Sequence, residues 1–105
     1  MQFGIIGSGS WATALAKILT DNGQTIQWYI RSNDTLQQIT NRRHNPHYLH
    51  STYFDANQLV LSSNINYVIE SSDVLLIVIP SAYVHQSLSI LNKDAFKGKK
   101  IILYF

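Results

Sequence analysis

A glycine-rich segment near the beginning of the chain has the residue types and spacing that bind phosphate. Its residues, Gly7-Ser8-Gly9-Ser10-Trp11-Ala12, fit the pattern G-x-G-x-x-G/A. In this pattern the first glycine permits a tight turn, the second lets the backbone approach a pyrophosphate, and the small last residue lets a helix pack closely on a strand. The N–H groups and the dipole at the start of such a helix attract phosphate. The alternative is that the glycines only form a tight turn.

The surroundings of this segment favour a dinucleotide site over a simple turn. Residues 3–6 are a short apolar run that predicts a buried strand, and residues 11–19 have helical spacing up to an end at Asn22-Gly23. One face of the predicted helix carries Trp11, Ala12, Leu15, Ile18 and Leu19. A strand that leads into the glycine turn and then into a helix is the context in which the pattern binds a cofactor. The predicted cofactor-binding residues of this segment are Gly7, Ser8, Gly9, Ser10, Trp11 and Ala12.

The position that usually carries an acidic residue for the ribose of NAD is occupied differently here. Such an acid is expected about 20 residues after the glycines. The predicted second strand, residues 25–30, is followed by Arg31 and Ser32, and the next acid is Asp34. Because the planar, permanently charged guanidinium suits a 2′-phosphate, Arg31 favours NADP, or use of both NADP and NAD. The alternative is that Arg31 stacks on the adenine or lies in solvent.

The rest of the chain continues to alternate strands with helices. Ser32 or Asn33 can cap a second helix with Leu36 and Ile39 on its inner face, and a loop follows at residues 44–57. The remaining elements are strands at 59–61, 74–79 and 100–104 and helices at 65–70 and 82–91. This alternation predicts an α/β fold with a doubly wound, Rossmann-like parallel sheet in the order 3-2-1-4-5. The fourth strand is apolar on both faces, as a central parallel strand must be.

Two further candidates follow the fourth strand, and the apolar fifth strand bears on the extent of the domain. Pro80 ends the fourth strand beside the switch point of the sheet, where ligands bind, and Tyr83 can pack on the dinucleotide or equally on its own sheet.

An apolar fifth strand rarely ends such a domain. We therefore expect residues 1–105 to be an NAD(P)-binding domain truncated after that strand, with a C-terminal substrate domain beyond it, and we expect the bare edge to favour a homodimer.

Composition excludes several other classes of function. A net charge of +2 is too small to indicate nucleic-acid binding, and the lack of cysteine excludes disulfides and thiolate metal sites. The four histidines lack the further ligands and carboxylates of a usual zinc site, so no metal is predicted. The longest apolar run is too short to span a membrane. Because the first residues carry no signal-peptide pattern, we expect a cytoplasmic protein.

The glycine-rich segment and several later stretches resemble the N-terminal domain of the glycerol-3-phosphate dehydrogenases. In that family glycine, serine, tryptophan, glycine, threonine, alanine, leucine and alanine run in the order seen from Gly7 to Ala16, with Ala12 in place of the usual glycine. Other matching stretches are Asp21-Asn22-Gly23, Trp28, residues 41–49, Ser72-Asp73-Val74 and Val78-Ile79-Pro80-Ser81. His50 stands where the family usually has proline.

The resemblance implies an enzyme that reduces dihydroxyacetone phosphate to glycerol 3-phosphate with NADH or NADPH, in glycerophospholipid synthesis. By position it implies cofactor contacts from Ser10 and Trp11, and a contact of Arg31, with Ser32, to the adenosine ribose or its 2′-phosphate. Tyr48 and Tyr83 would be further cofactor neighbours. The catalytic lysines and the helical substrate domain of the family would lie beyond Phe105, so no catalytic residue is predicted in this chain.

Two alternatives remain open on the sequence. The first is another reductase with the same opening, such as a ketopantoate reductase or a pyrroline-carboxylate reductase, against which residues 41–49 argue. The second is a regulatory domain that senses NAD(H) without catalysis and would be complete near this length. Fold alone does not separate these classes.

Overall fold

Strands and helices alternate along the part of the chain that the computed structural model describes, which comprises residues 2–42, 58–79 and 96–104. The elements are β1 (Phe3–Ile6), α1 (Ser10–Asp21), β2 (Ile26–Tyr29), α2 (Asn33–Arg42), β3 (Leu59–Ser62), α3 (Ile65–Glu70), β4 (Val74–Val78) and β5 (Lys100–Tyr104). Most of these bounds agree with the predicted ones, and the others differ by one or two residues. The predicted loop at 44–57 and the predicted helix at 82–91 lie outside the described residues.

All the strands belong to one parallel sheet in the order β3-β2-β1-β4-β5, which confirms the predicted topology. The chain builds outward from β1 through β2 to β3 and then returns to place β4 on the other side of β1. The order therefore reverses between β1 and β4, and a crevice opens there at the carboxyl ends of the strands. Ile6 pairs with Tyr29 on one side and with Ile77 on the other, so the three strands end at the same edge.

Helices cover both faces of the sheet, and each face has its own apolar cluster. On one face, α1 and α2 pack on the sheet, and the buried cluster consists of Ile5, Ala12, Ala16, Ile26, Trp28, Ile30, Ile39 and Leu76. On the other face, α3 contributes to a cluster of Ile6, Ile65, Ile69, Leu75 and Ile77. Consecutive β4 residues thus enter opposite clusters, which confirms that this strand is apolar on both faces.

Helix α1 packs on the sheet with Ala12, Leu15 and Leu19 of the predicted face, but the other two residues of that face are exposed. Trp11 and Ile18 were predicted to lie on the inner face, but their side chains are 69% and 57% exposed. Thr13 and Thr20 are buried instead, and each hydroxyl donates to the backbone carbonyl four positions earlier, at 2.8 and 2.9 Å. Because this bond satisfies the hydroxyl within the helix, a threonine can be buried, and the inner face is rotated away from Trp11.

The ends of the helices carry the side chains that usually stop or start them. Ser32 precedes α2, and its side-chain oxygen accepts from the backbone N–H of Thr35 at 3.3 Å, so Ser32 is the cap that the sequence suggested. Asn64 caps α3 in the same way. In the three described stretches, no helix is long and apolar enough to cross a membrane.

Strand β1 comes very close to the segment between α3 and β4. A Cβ atom added at Gly4 would lie 2.1 Å from the hydroxyl oxygen of Ser72 and 2.9 Å from a methyl carbon of Leu75. Ser72 is itself buried, and its hydroxyl donates to the carbonyl of Val68 at 2.6 Å. The absence of a side chain at Gly4 therefore allows α3 to pack on the sheet.

We expect Gly4→Ala to lower the free energy of unfolding by about 1–3 kcal/mol, because the extra methyl group overpacks this contact. Urea denaturation of the chain measures the change. Gly9→Ala is the matched control, since an added Cβ there meets no atom within 4 Å. Gly9→Ala should lower the free energy of unfolding by less than about 1 kcal/mol, since it loses only the weak preference for glycine over alanine at a helix N-cap. Equal stabilities for the two variants would contradict the close contact at Gly4.

Candidate functional site

The first glycine of the glycine-rich turn is held against the end of β4. Gly7 has φ +128°, a conformation that residues with a side chain rarely adopt. A Cβ atom at this position would lie 2.1 Å from the carbonyl oxygen of Val78. The turn therefore lies directly at the switch point between β1 and β4, where the predicted motif requires it to be.

The same glycine is held from a second direction by a tryptophan of β2. The indole N–H of Trp28 donates to the carbonyl oxygen of Gly7 at 2.7 Å. Trp28 is completely buried and belongs to the core. Sequence reasoning missed the hydrogen bond, although a buried indole N–H usually has a partner.

The second glycine stands at the start of α1, in open space. Gly9 is the N-cap residue of this helix, and no side chain caps it. Both the backbone N–H and the hydroxyl of Thr13 donate to the carbonyl of Gly9, at 2.9 and 2.8 Å. The first turn of α1 has no acidic residue. Backbone donors at a helix start that no side chain caps, beside an open volume, favour an anionic group.

The other residues of the motif flank this helix start. Ala12 is completely buried in the cluster with Ile5 and Trp28, which is the close helix-on-strand packing that the motif requires. Trp11 is largely exposed, and Ser8 is half-buried. Ser10 is the first residue of α1.

Arg31 and Ser32 follow β2 at the same edge of the sheet as the glycine turn. The register that pairs Ile6 with Tyr29 places both residues just beyond the carboxyl ends of these strands. Both are exposed, and Asp34 is the first acid after them, in the first turn of α2. The side-chain oxygen of Ser32 is engaged in capping α2. Arg31 is therefore an exposed cation at this edge of the sheet.

The remaining candidates of the sequence analysis lie outside the described residues. These are Tyr48, Pro80 and Tyr83, together with the histidines His44, His47, His50 and His85. Within residues 2–42, 58–79 and 96–104, no group of three or more histidine, cysteine or acidic side chains is placed to hold a metal ion.

The parallel sheet, the reversal of strand order at β1 and the glycine turn leading into α1 define a Rossmann domain, the class that binds dinucleotides. Residues 2–105 match the sequence model of the NAD-dependent glycerol-3-phosphate dehydrogenase N-terminus. The chain belongs to this family, as its opening residues suggested.

Named relatives agree with this assignment. A glycerol-3-phosphate dehydrogenase [NAD(P)+] of Treponema pallidum is 34% identical over 88 residues, which are 84% of this chain and 24% of the relative. The enzyme of the same name from Acholeplasma laidlawii is 32% identical over 105 residues, the whole of this chain and 29% of the relative. The chain thus spans about a quarter of the length of these curated relatives.

Solved structures share the fold. The glycerol-3-phosphate dehydrogenase of Coxiella burnetii superposes with a TM-score of 0.82 at 24% identity, covering 97% of this chain and 31% of that protein. The Saccharomyces cerevisiae enzyme gives 0.85 at 21% identity, covering 98% and 33%. An imine reductase of Bacillus cereus gives 0.71 at 15% identity, covering 97% and 30%. At these identities the likeness concerns the fold alone.

We expect Gly9→Val to weaken NADH binding at least ~10-fold and to leave the fold intact. The branched side chain would fill the open space at the helix start, and its loss of affinity corresponds to about 1.4 kcal/mol or more. Titration of NADH followed by tryptophan fluorescence, with circular dichroism on the same sample, measures both quantities. The NADH affinity of Gly9→Ala should fall between that of the wild-type chain and that of Gly9→Val. Unchanged affinity in a folded Gly9→Val chain would refute the site.

Proposed function

We propose that residues 1–105 form the NAD(P)-binding domain of an NAD(P)-dependent glycerol-3-phosphate dehydrogenase. The observation that carries the proposal is the uncapped start of α1 beside the open space at Gly9. The reaction that we propose for the whole protein, in keeping with its family, is the reduction of dihydroxyacetone phosphate to sn-glycerol 3-phosphate in glycerophospholipid synthesis. When bound, the nicotinamide supplies the hydride.

In this proposal the backbone of the glycine turn holds the pyrophosphate. Gly7 and Ser8 form the turn, Gly9 leaves room for close approach, and Ser10 and Trp11 bring the first N–H groups of α1. Their donors and the helix dipole stabilise the negative charge of the phosphates. Ala12 contributes by letting α1 lie close to β1. The described residues fit such a group, because none of their atoms beyond the neighbours of Gly9 in the chain lies within 4 Å of a Cβ built at Gly9.

The adenosine end of the cofactor is assigned to Arg31 and Ser32. An exposed arginine at the end of β2, with no acid before Asp34, favours the 2′-phosphate of NADP over the free hydroxyl of NAD. Ser32 can still donate its hydroxyl hydrogen while its oxygen caps α2. NADP, with NAD as a second cofactor, is therefore the preference that we propose.

Other parts of the proposal rest on the resemblance. Tyr48, Pro80 and Tyr83 are proposed as further cofactor neighbours. The groups that donate a proton to the substrate carbonyl and bind its phosphate are proposed to belong to the part of the protein outside this chain. The cytoplasmic location and the homodimer stay predictions.

We expect Arg31→Asp to weaken NADPH selectively, by an amount on the order of 1–3 kcal/mol for one lost charged hydrogen bond. NADH should be affected much less, because it carries no 2′-phosphate. Isothermal titration of both nucleotides gives the two dissociation constants.

Lys97→Asp is the matched control for this prediction. It makes the same change of charge at an exposed residue in the turn before β5, at the opposite edge of the sheet. Its effect on both nucleotides should be small, since exposed charges beyond about 10 Å are screened at ordinary salt. Equal weakening of NADH and NADPH by Arg31→Asp would show that Arg31 does not bind the 2′-phosphate.

We expect the 105-residue chain to bind nucleotide but not to oxidise NADH with dihydroxyacetone phosphate, because the proton donor and the phosphate-binding donors are proposed to lie elsewhere. Absorbance of NADH measures the rate. Turnover on the order of 10 per second would contradict this placement of the catalytic groups. The native gene product with its remaining part should be active, and inactivity there would favour a domain that only senses NAD(H).

A further inference from the structure

We propose that Trp28 is a positioning residue, whose indole N–H fixes the glycine turn in the orientation that receives the pyrophosphate. The role of the turn rests on the proposed function. The contact itself, an indole N–H to carbonyl hydrogen bond between β2 and the Gly7 peptide, is a feature of the fold.

The bond acts on the peptide unit that begins the turn. A peptide unit is planar and trans, so the carbonyl of Gly7 and the N–H of Ser8 point in opposite directions. Because Trp28 holds the carbonyl at 2.7 Å, the N–H of Ser8 is directed away from the indole. A donor at the carbonyl also polarises the peptide and strengthens its N–H as a donor. One buried side chain thus sets the direction and strength of a donor in the turn.

Gly7 is held from two sides, by the carbonyl of Val78 at the end of β4 and by the indole of Trp28 in β2. The carbonyl of Val78 leaves no room for a side chain at Gly7, so this residue must follow the end of β4. Rotation of the following peptide remains free under that restriction, because glycine tolerates a wide range of backbone angles. The hydrogen bond from Trp28 removes this freedom. Together the two contacts determine both the place and the rotation of the turn.

The same tryptophan connects the two proposed halves of the cofactor site. Trp28 lies in β2, where it pairs with Ile5, and the chain reaches Arg31 two residues after the strand ends at Tyr29. An indole anchored in the sheet and bonded to the turn therefore sets the spacing between the turn and the arginine. A dinucleotide spans both places, so an error in this spacing weakens its binding even where each half is intact.

Trp28→Phe separates this role from simple packing. Phenylalanine keeps an aromatic ring in the core but has no N–H to donate. Ile26→Ala is the matched control, because it removes the same number of non-hydrogen atoms from the same strand and the same buried cluster, without a hydrogen bond to the turn. Both variants create a cavity, and only Trp28→Phe frees the Gly7 carbonyl.

In the 105-residue chain we expect Trp28→Phe to raise the dissociation constants of NADH and NADPH about 10-fold, the scale of one hydrogen bond. Ile26→Ala should leave them within about 2-fold when both variants are measured well below their unfolding temperatures. Equal effects of the two variants on affinity would overturn the positioning role.

A second measurement does not require any cofactor. Amide hydrogen exchange, followed by nuclear magnetic resonance, should become faster at residues 8–12 in Trp28→Phe but not in Ile26→Ala. Unchanged exchange at residues 8–12 in Trp28→Phe would overturn the proposal. If the wild-type chain bound neither nucleotide, the proposed function would fail, and the exchange at these residues would then decide the role of Trp28 by itself.

If Trp28→Phe does not fold, an isostere replaces it in the test. Benzothienylalanine incorporated at Trp28, in a Trp11→Phe background, keeps the shape of the indole and lacks the N–H group. Faster exchange in the turn of this chain, relative to the same background with tryptophan, is the expected result. Identical exchange would overturn the proposal.

Discussion

The structure depends on how closely the end of β1 approaches the end of β4. Gly7 leaves β1 with its backbone against the carbonyl of Val78, so near that a side chain could not fit between them. This contact brings the turn into the switch point of the sheet. Because α1 starts directly from the turn, the position of the helix, and the sheet face that its alanines cover, follow from the same approach. A fold of this kind could place the helix elsewhere only by opening the sheet at its centre.

The start of α1 lacks the side-chain cap that usually stabilises a helix. Most helices satisfy a first-turn N–H with a serine, threonine or aspartate cap, and α3 does so with Asn64. Helix α1 begins with Gly9, which has no side chain to accept a hydrogen bond. The donors that remain are the chemical feature on which the proposed binding of the pyrophosphate rests. The burial of Ala12, Ala16 and Trp28 behind the helix keeps it in place without a cap.

The fold and the site carry different kinds of information. An imine reductase of 15% identity shares this sheet with a TM-score of 0.71, so the architecture does not determine the substrate. The sequence decides between the families that share this fold, because the sequence model of the glycerol-3-phosphate dehydrogenase N-terminus matches residues 2–105. Arg31 is the residue that we propose to distinguish NADP from NAD, because it lies near the position where NAD enzymes usually carry a ribose-binding acid.

The sequence by itself determined the elements, their order and the glycine motif, because these depend on local periodicity and on residues close together in the chain. Ser32 as a cap and the two apolar faces of β4 are of this kind. Only the tertiary structure decided where the buried face of α1 ends, since Thr13 and Thr20 satisfy their hydroxyls within the helix and are buried, whereas Trp11 and Ile18 are exposed. The contact of Trp28 with Gly7 likewise joins residues 21 positions apart, and only the pairing of β1 with β2 brings them together.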